Sequence, residues 1–117
     1  MNIKELVSRY RAGQRDFRNL NLIAANLRNM NLSGANLSGA NLSGANLTRT
    51  NLSRANLTNA TLTGAILFET NLIGANLTQA ILSDADLSHT YLRGAIMPDG
   101  VTDVPNVVVA NGSGDSR

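Results

Sequence analysis

The sequence predicts an all-β solenoid, a four-sided coil of about four turns with a short α-helical cap at its N-terminal end. Three observations predict it. A five-residue repeat runs from Arg15 to Asp99 without insertion or deletion. The central residue of all seventeen units is apolar, as Phe17, fifteen leucines from Leu22 to Leu92, and Met97. Two residues before the centre stands Ala in eleven units, and one residue before it stands Asn in ten. A period of five suits neither standard element. A helix would swing successive leucines by roughly 140°, and a strand would send them to alternate faces. The leucines are buried together only if each unit runs extended for about three residues, Ala and Leu inward and Asn outward, and then turns a corner. The corner positions carry turn residues, as in Ser38-Gly39, Ser43-Gly44, Thr63-Gly64 and Arg93-Gly94. If each unit is one side, four units close a coil and residue i stacks on residue i+20, at the roughly 4.7–4.9 Å spacing of paired strands.

The elements follow in order. Residues 1–14 are predicted as the N-terminal cap. Asn2 is a candidate N-cap, Glu5 follows three residues later, Ile3, Leu6, Val7 and Tyr10 share one helical face, and Gly13 ends the segment. That face can lie over the first coil, where Leu20 and Met30 replace the usual Ala and would meet the helix. Arg15 puts a guanidinium at an inward position, which implies an open end or a bond to the cap. Residues 15–99 form the coil. Residues 100–117 form a C-terminal cap and tail: Pro98-Asp99-Gly100 breaks the repeat, Val101 to Ala110 is expected to fold back on the last coil as a strand, and Asn111 to Arg117 is expected to be disordered.

Composition narrows the function. Only 3% of residues are aromatic and cysteine is absent, which removes a core of large anchors, a disulfide framework and thiolate metal sites. No window approaches the roughly 18 apolar residues of a membrane span, and residues 1–13 lack the apolar run of an export signal. A soluble, cytoplasmic protein is expected. The net charge of +2 hides a dipole: residues 1–28 hold six basic and two acidic side chains, residues 84–117 two basic and five acidic.

The unbroken run Ala35-Asn36-Leu37-Ser38-Gly39, Ala40-Asn41-Leu42-Ser43-Gly44, Ala45-Asn46-Leu47 closely resembles the pentapeptide-repeat family, whose A(N/D)LXX units wind into a right-handed quadrilateral β-helix. The resemblance covers residues 15–99. It implies that fold and a cyanobacterial source, and it carries little information on function.

Specificity must therefore lie where the chain departs from the repeat. Stacking by twenty residues sorts the units into four walls, named here by their central residues. Wall 1 holds Phe17, Leu37, Leu57, Leu77 and Met97; wall 2 holds Leu22, Leu42, Leu62 and Leu82; wall 3 holds Leu27, Leu47, Leu67 and Leu87; wall 4 holds Leu32, Leu52, Leu72 and Leu92. Inward Thr50, Thr70 and Thr90 stack on wall 4 beneath Met30, as a polar file or as Ala substitutes whose hydroxyls bond nearby backbone. On wall 3, outward Ile66 and Phe68 flank Leu67, with Ile73 and Ile81 outward on the adjoining walls. Those four residues are the candidate partner patch, unless the apolar C-terminal strand covers it. One corner stacks Asn29, Arg49, Glu69 and His89, where an Arg49–Glu69 ion pair is the expected arrangement and a Glu/His catalytic pair the alternative. Asp84 and Asp86 could hold Ca²⁺ in principle, but the Gly-rich consensus of a calcium β-roll is absent, so a solvated acidic edge is expected.

These features point to a non-enzymatic structural or protein-interaction module, monomeric or weakly dimeric. No catalytic, cofactor or metal residues are assigned, and no small-molecule substrate or nucleic acid is expected. The alternative is a DNA mimic that engages gyrase, as in one branch of the family. That role needs a long anionic surface, whereas Arg18, Arg28, Arg49, Arg54 and Arg93 lie on or near these walls.

Overall fold

A computed structural model describes residues 1–100 and the backbone of residues 107–108. The coil is a right-handed quadrilateral β-helix. Thirteen parallel pairs join residue i to i+20, from Asp16 with Asn36 to Asn76 with Ile96. Each side of the square is extended for so short a stretch that only one residue per unit pairs in this way. Three N–H groups per unit still bond to neighbouring coils, as where the Leu37 N–H donates to the Asn56 carbonyl at 2.8 Å, the Asn56 N–H to the Ala35 carbonyl at 2.9 Å, and the Gly39 N–H to the Thr58 carbonyl at 2.9 Å; on wall 3 the last level departs from this register, with the Glu69 N–H donating to the His89 carbonyl. Buried backbone groups need such partners, and a neighbouring coil is the one source that a stacked square offers.

Two N–H groups per unit lie outside that inter-coil ladder, one taken up by the corner turn and one at the residue after the central leucine. For the second, the acceptor is local. The recurrent Asn takes it. Asn36 Oδ1 accepts from the Ser38 N–H at 3.1 Å and Asn51 Oδ1 from the Ser53 N–H at 2.9 Å, an Asx turn repeated up each wall. Hydroxyls at the same site add a second donor, as with Ser43, Thr48 and Thr78 on Asn41, Asn46 and Asn76. Asn therefore sits before ten of the central leucines, and Asp16 and Asp86 accept the Arg18 and Ser88 N–H in the same way. Ile96 can dispense with such an acceptor, because the residue two further on is Pro98, which has no N–H to satisfy.

From Leu22 onward each corner is a β-turn in which the next unit's first N–H donates back to the central residue's carbonyl, as from Ala40 to Leu37 at 3.0 Å. Its third residue has positive φ, between +55° and +73°, at every corner from Asn19 to Gly94. Glycine adopts that geometry freely, yet ten of these corners hold other residues, among them Ala24, Arg49, Glu69 and His89. Eight of those ten, all but Asp84 and His89, donate their own N–H to the next level, which fixes them in the left-handed region.

Within the square, Ala35, Leu37, Ala40, Leu42, Ala45 and Leu47 are fully buried, and Phe17 fills the first level. Above it lies helix α1 (Ile3–Arg11). Asn2 Oδ1 caps α1 by accepting from the Glu5 N–H at 2.8 Å. At the other end the Gly13 N–H donates to the Tyr10 carbonyl and the Gln14 N–H to the Arg9 carbonyl, with Gly13 at φ +104°. That pattern is a Schellman stop, which needs the left-handed residue that glycine supplies. Leu6 is fully buried against the coil, while Ile3, Leu20 and Met30 are partly buried around it. Tyr10 ties helix to coil by donating its hydroxyl to the Ser33 carbonyl at 2.6 Å. Arg15 is exposed and bonds to the cap: its guanidinium lies 3.7 Å from the Tyr10 ring centroid and donates to the Tyr10 carbonyl at 2.9 Å.

At the C-terminal end, β1 (Thr90–Tyr91) pairs antiparallel with β2 (Val107–Val108), Thr90 opposite Val108. The remainder of the expected strand over Val101–Ala110, and the tail from Asn111 to Arg117, lie outside the described residues. Leu82, Ala85 and Leu87 on the last level are partly buried, unlike their counterparts inside the coil.

Candidate interaction face

Of the four patch residues, the structure brings two together. Ile66 and Phe68 project from wall 3 on either side of the buried Leu67, 44% and 37% exposed. Ile81 is 48% exposed but belongs to wall 2, where it stacks on Thr61, and Ile73 is half-buried on wall 4. Neither adjoins the pair, since each lies around a corner of the square. β2 pairs with the edge of wall 4, not with wall 3. The sequence reading overlooked Ile23, which is 54% exposed on wall 2 at the position that Phe68 occupies on wall 3.

The pair is set in a polar frame. Arg49 Nε bonds Glu69 Oε1 at 2.8 Å along the corner stack. The His89 ring meets Phe68 edge-on at 5.3 Å between centroids, and the Arg49 guanidinium stands 5.8 Å from the same ring. His89 is thus a packing partner for Phe68, an aromatic contact that the sequence stack alone did not disclose. Asp86, one level on from Ile66, has its carboxyl held below the ordinary carboxylate range, because the Ser88 hydroxyl and N–H both donate to it. The Ile66 site also breaks the repeat's own chemistry. An isoleucine cannot accept the Phe68 N–H, whereas Asn46 directly above it accepts the Thr48 N–H at 3.1 Å.

The threonine file is structural. Thr50, Thr70 and Thr90 are completely buried, and their hydroxyls donate to the carbonyls of Leu27, Leu47 and Leu67 at 2.6, 2.6 and 2.9 Å. Thr70→Val keeps the shape and loses that bond. It should lower stability by about 1 kcal/mol in urea unfolding; an unchanged midpoint would show that the hydroxyl contributes nothing.

A cleft of about 430 Å³ opens between α1 and the first coil, lined by Val7, Tyr10, Arg11, Arg28 and Met30 among others. Met30, which stands where the repeat would put Ala, forms part of that lining. The walls show no anionic stripe among the described residues: Asp16 and Glu69 are engaged by Arg18 and Arg49.

Residues 16–54, 31–67 and 67–97 match the model of the family described as pentapeptide repeats, in 8 copies. Among solved structures, the chain is similar to HetL, a pentapeptide repeat protein involved in heterocyst differentiation regulation from the cyanobacterium Nostoc sp. strain PCC 7120. The two are 40% identical with a TM-score of 0.80, over 81% of this chain and 40% of HetL, so the chain spans well under half of that protein. Rfr23, from the cyanobacterium Cyanothece 51142, is 27% identical over 92% of this chain and 99% of its own, with a TM-score of 0.48. The alr5209 protein from Nostoc PCC 7120 is 38% identical over 76% of this chain and 78% of its own, with a TM-score of 0.31. No curated protein matches the chain.

Proposed function

Because the chain belongs to the pentapeptide-repeat family, we propose that it is a non-enzymatic protein-interaction module whose coil is a rigid scaffold and whose contact face is Ile66 and Phe68. The observation that carries this reading is the isoleucine at position 66. It stands where the coil uses Asn to satisfy a backbone N–H, and it is exposed, so it serves neither the turn nor the core. A residue that costs the scaffold a hydrogen bond and leaves an apolar side chain in water is best explained by contact with another surface. The similarity to HetL, a pentapeptide repeat protein involved in heterocyst differentiation regulation, is in keeping with a regulatory role.

The test exploits the conflict. Ile66→Asn restores the Asx acceptor and should raise stability by about 0.5–1.5 kcal/mol. With Phe68→Ser it should also abolish capture of proteins from native lysate and self-association. If the double variant is more stable and binds as before, the face is not the interaction site.

A further inference from the structure

We propose that wall 3 is a contact between two copies of this chain, packed side by side about a two-fold axis parallel to the coil axis. This rests on the interaction-module reading above and specifies its partner. Two copies of one solenoid share one pitch, so a two-fold axis along the coil keeps every residue on its own level. The same operation reverses the order of residues across the wall. The residue before each central leucine then faces the residue after it on the other copy.

The consequences can be followed level by level. Beside Leu67, Ile66 faces Phe68 of the second copy and Phe68 faces its Ile66, so four exposed apolar side chains cover one another. Beside Leu47, Asn46 faces Thr48, amide to hydroxyl; beside Leu87, Asp86 faces Ser88, carboxylate to hydroxyl. The edges also match. The corner that carries Arg49, Glu69 and His89 comes beside the opposite corner of the second copy, made by Gly44, Gly64 and Asp84. Gly44 and Gly64 have nothing within 4 Å of where a Cβ would stand, which leaves room for the Arg49–Glu69 pair. His89 falls between Asp84 and Asp86 of the second copy.

The alternative two-fold axis, across the wall, reverses the levels. It sets Glu69 against Glu69, and so juxtaposes like charge at the corner where the parallel arrangement sets Glu69 against Gly64. Charge therefore selects the parallel pair. Four levels at about 4.8 Å and a side of five residues give a face of roughly 250 Å² per copy. Stable complexes bury about 800 Å² per partner, so this pairing is a reversible, high-concentration equilibrium.

Sedimentation of the full chain across roughly 10 μM to 1 mM should show the mass rising towards two chains. Phe68→Ser, a residue type the repeat itself uses at that position, should remain monomeric with an intact melting transition. Because the chain has no cysteine, Asn26→Cys chains mixed with Arg28→Cys chains can be joined by a short bis-maleimide. Those positions face each other in the parallel pair and lie roughly 19 Å apart in the reversed one. Crosslinking that Phe68→Ser abolishes supports the proposal. A monomer at every concentration overturns it, as does a dimer that survives Phe68→Ser or fails to crosslink. If the chain is monomeric while the Ile66→Asn, Phe68→Ser variant still loses a captured protein, self-pairing fails and the interaction-module reading stands.

Discussion

Duplicating residues 35–54 in place should raise the melting temperature, whereas one alanine inserted between Asn51 and Leu52 should remove the cooperative transition. The duplicated segment is one complete coil, with Leu37, Leu42, Leu47 and Leu52 at its centre, all fully buried. Every parallel pair of the coil spans twenty residues, so the copy inserts between existing levels, keeps Thr50 in the threonine file, and adds one more interface of the kind already present. Solenoid stability is close to a sum of unit and nearest-neighbour contributions, and four more buried leucines contribute about 1.5–3 kcal/mol each before chain entropy is subtracted. A single inserted residue has the opposite effect. Either Leu52 turns outward, or every pair across the insertion slips from twenty to twenty-one. Both outcomes expose leucines and break ladder bonds on one whole level. Thermal melting followed by circular dichroism decides the matter: an insertion variant that melts like the parent would show that the corners can absorb an extra residue.

Leu57→Ala should destabilise the protein far more than Leu87→Ala. Leu57 is 0% exposed between two complete levels, where a leucine-to-alanine change leaves a cavity that costs about 2–5 kcal/mol. Leu87 lies on the last level and is only partly buried, so the same change should cost less than about 2 kcal/mol. Equal losses in urea unfolding would mean that the final level is as firmly packed as the interior.

The coil was legible in the sequence because its period admits one solution. Ala, Asn and Leu recur at spacings that only a stacked square can bury, and the i to i+20 register follows by counting. The cap was legible for the same kind of reason: Asn2, Glu5 and Gly13 mark a helix by local chemistry alone. What escaped the sequence depends on groups that meet only through the stack. Arg15 reads as an inward charge until Tyr10 is known to lie over it, and His89 as an idle corner residue until its ring meets Phe68. The purpose of Asn was available but unread. It stands two residues before each corner N–H, the spacing of an Asx turn, and recognising that would have marked Ile66 as a break in hydrogen bonding as well as in hydropathy. The positive φ at Ala24, Arg49 and Glu69 could not be anticipated from residue types that ordinarily avoid it.

The buried threonines bear on how so repetitive a chain finds one structure. With leucine at fifteen of its centres and alanine at eleven of the positions two before them, the coil could form with five residues looped out, each unit stacking on a wrong neighbour of nearly identical shape. Thr50, Thr70 and Thr90 deny that degeneracy. They sit in one column of four and are larger than the alanines of the other three. A slipped unit would set threonine over alanine, leaving a void on one level and crowding on the next. The file thus serves as an index mark, distinguishing one wall from three lookalikes and giving the correct winding an energetic lead over its near copies.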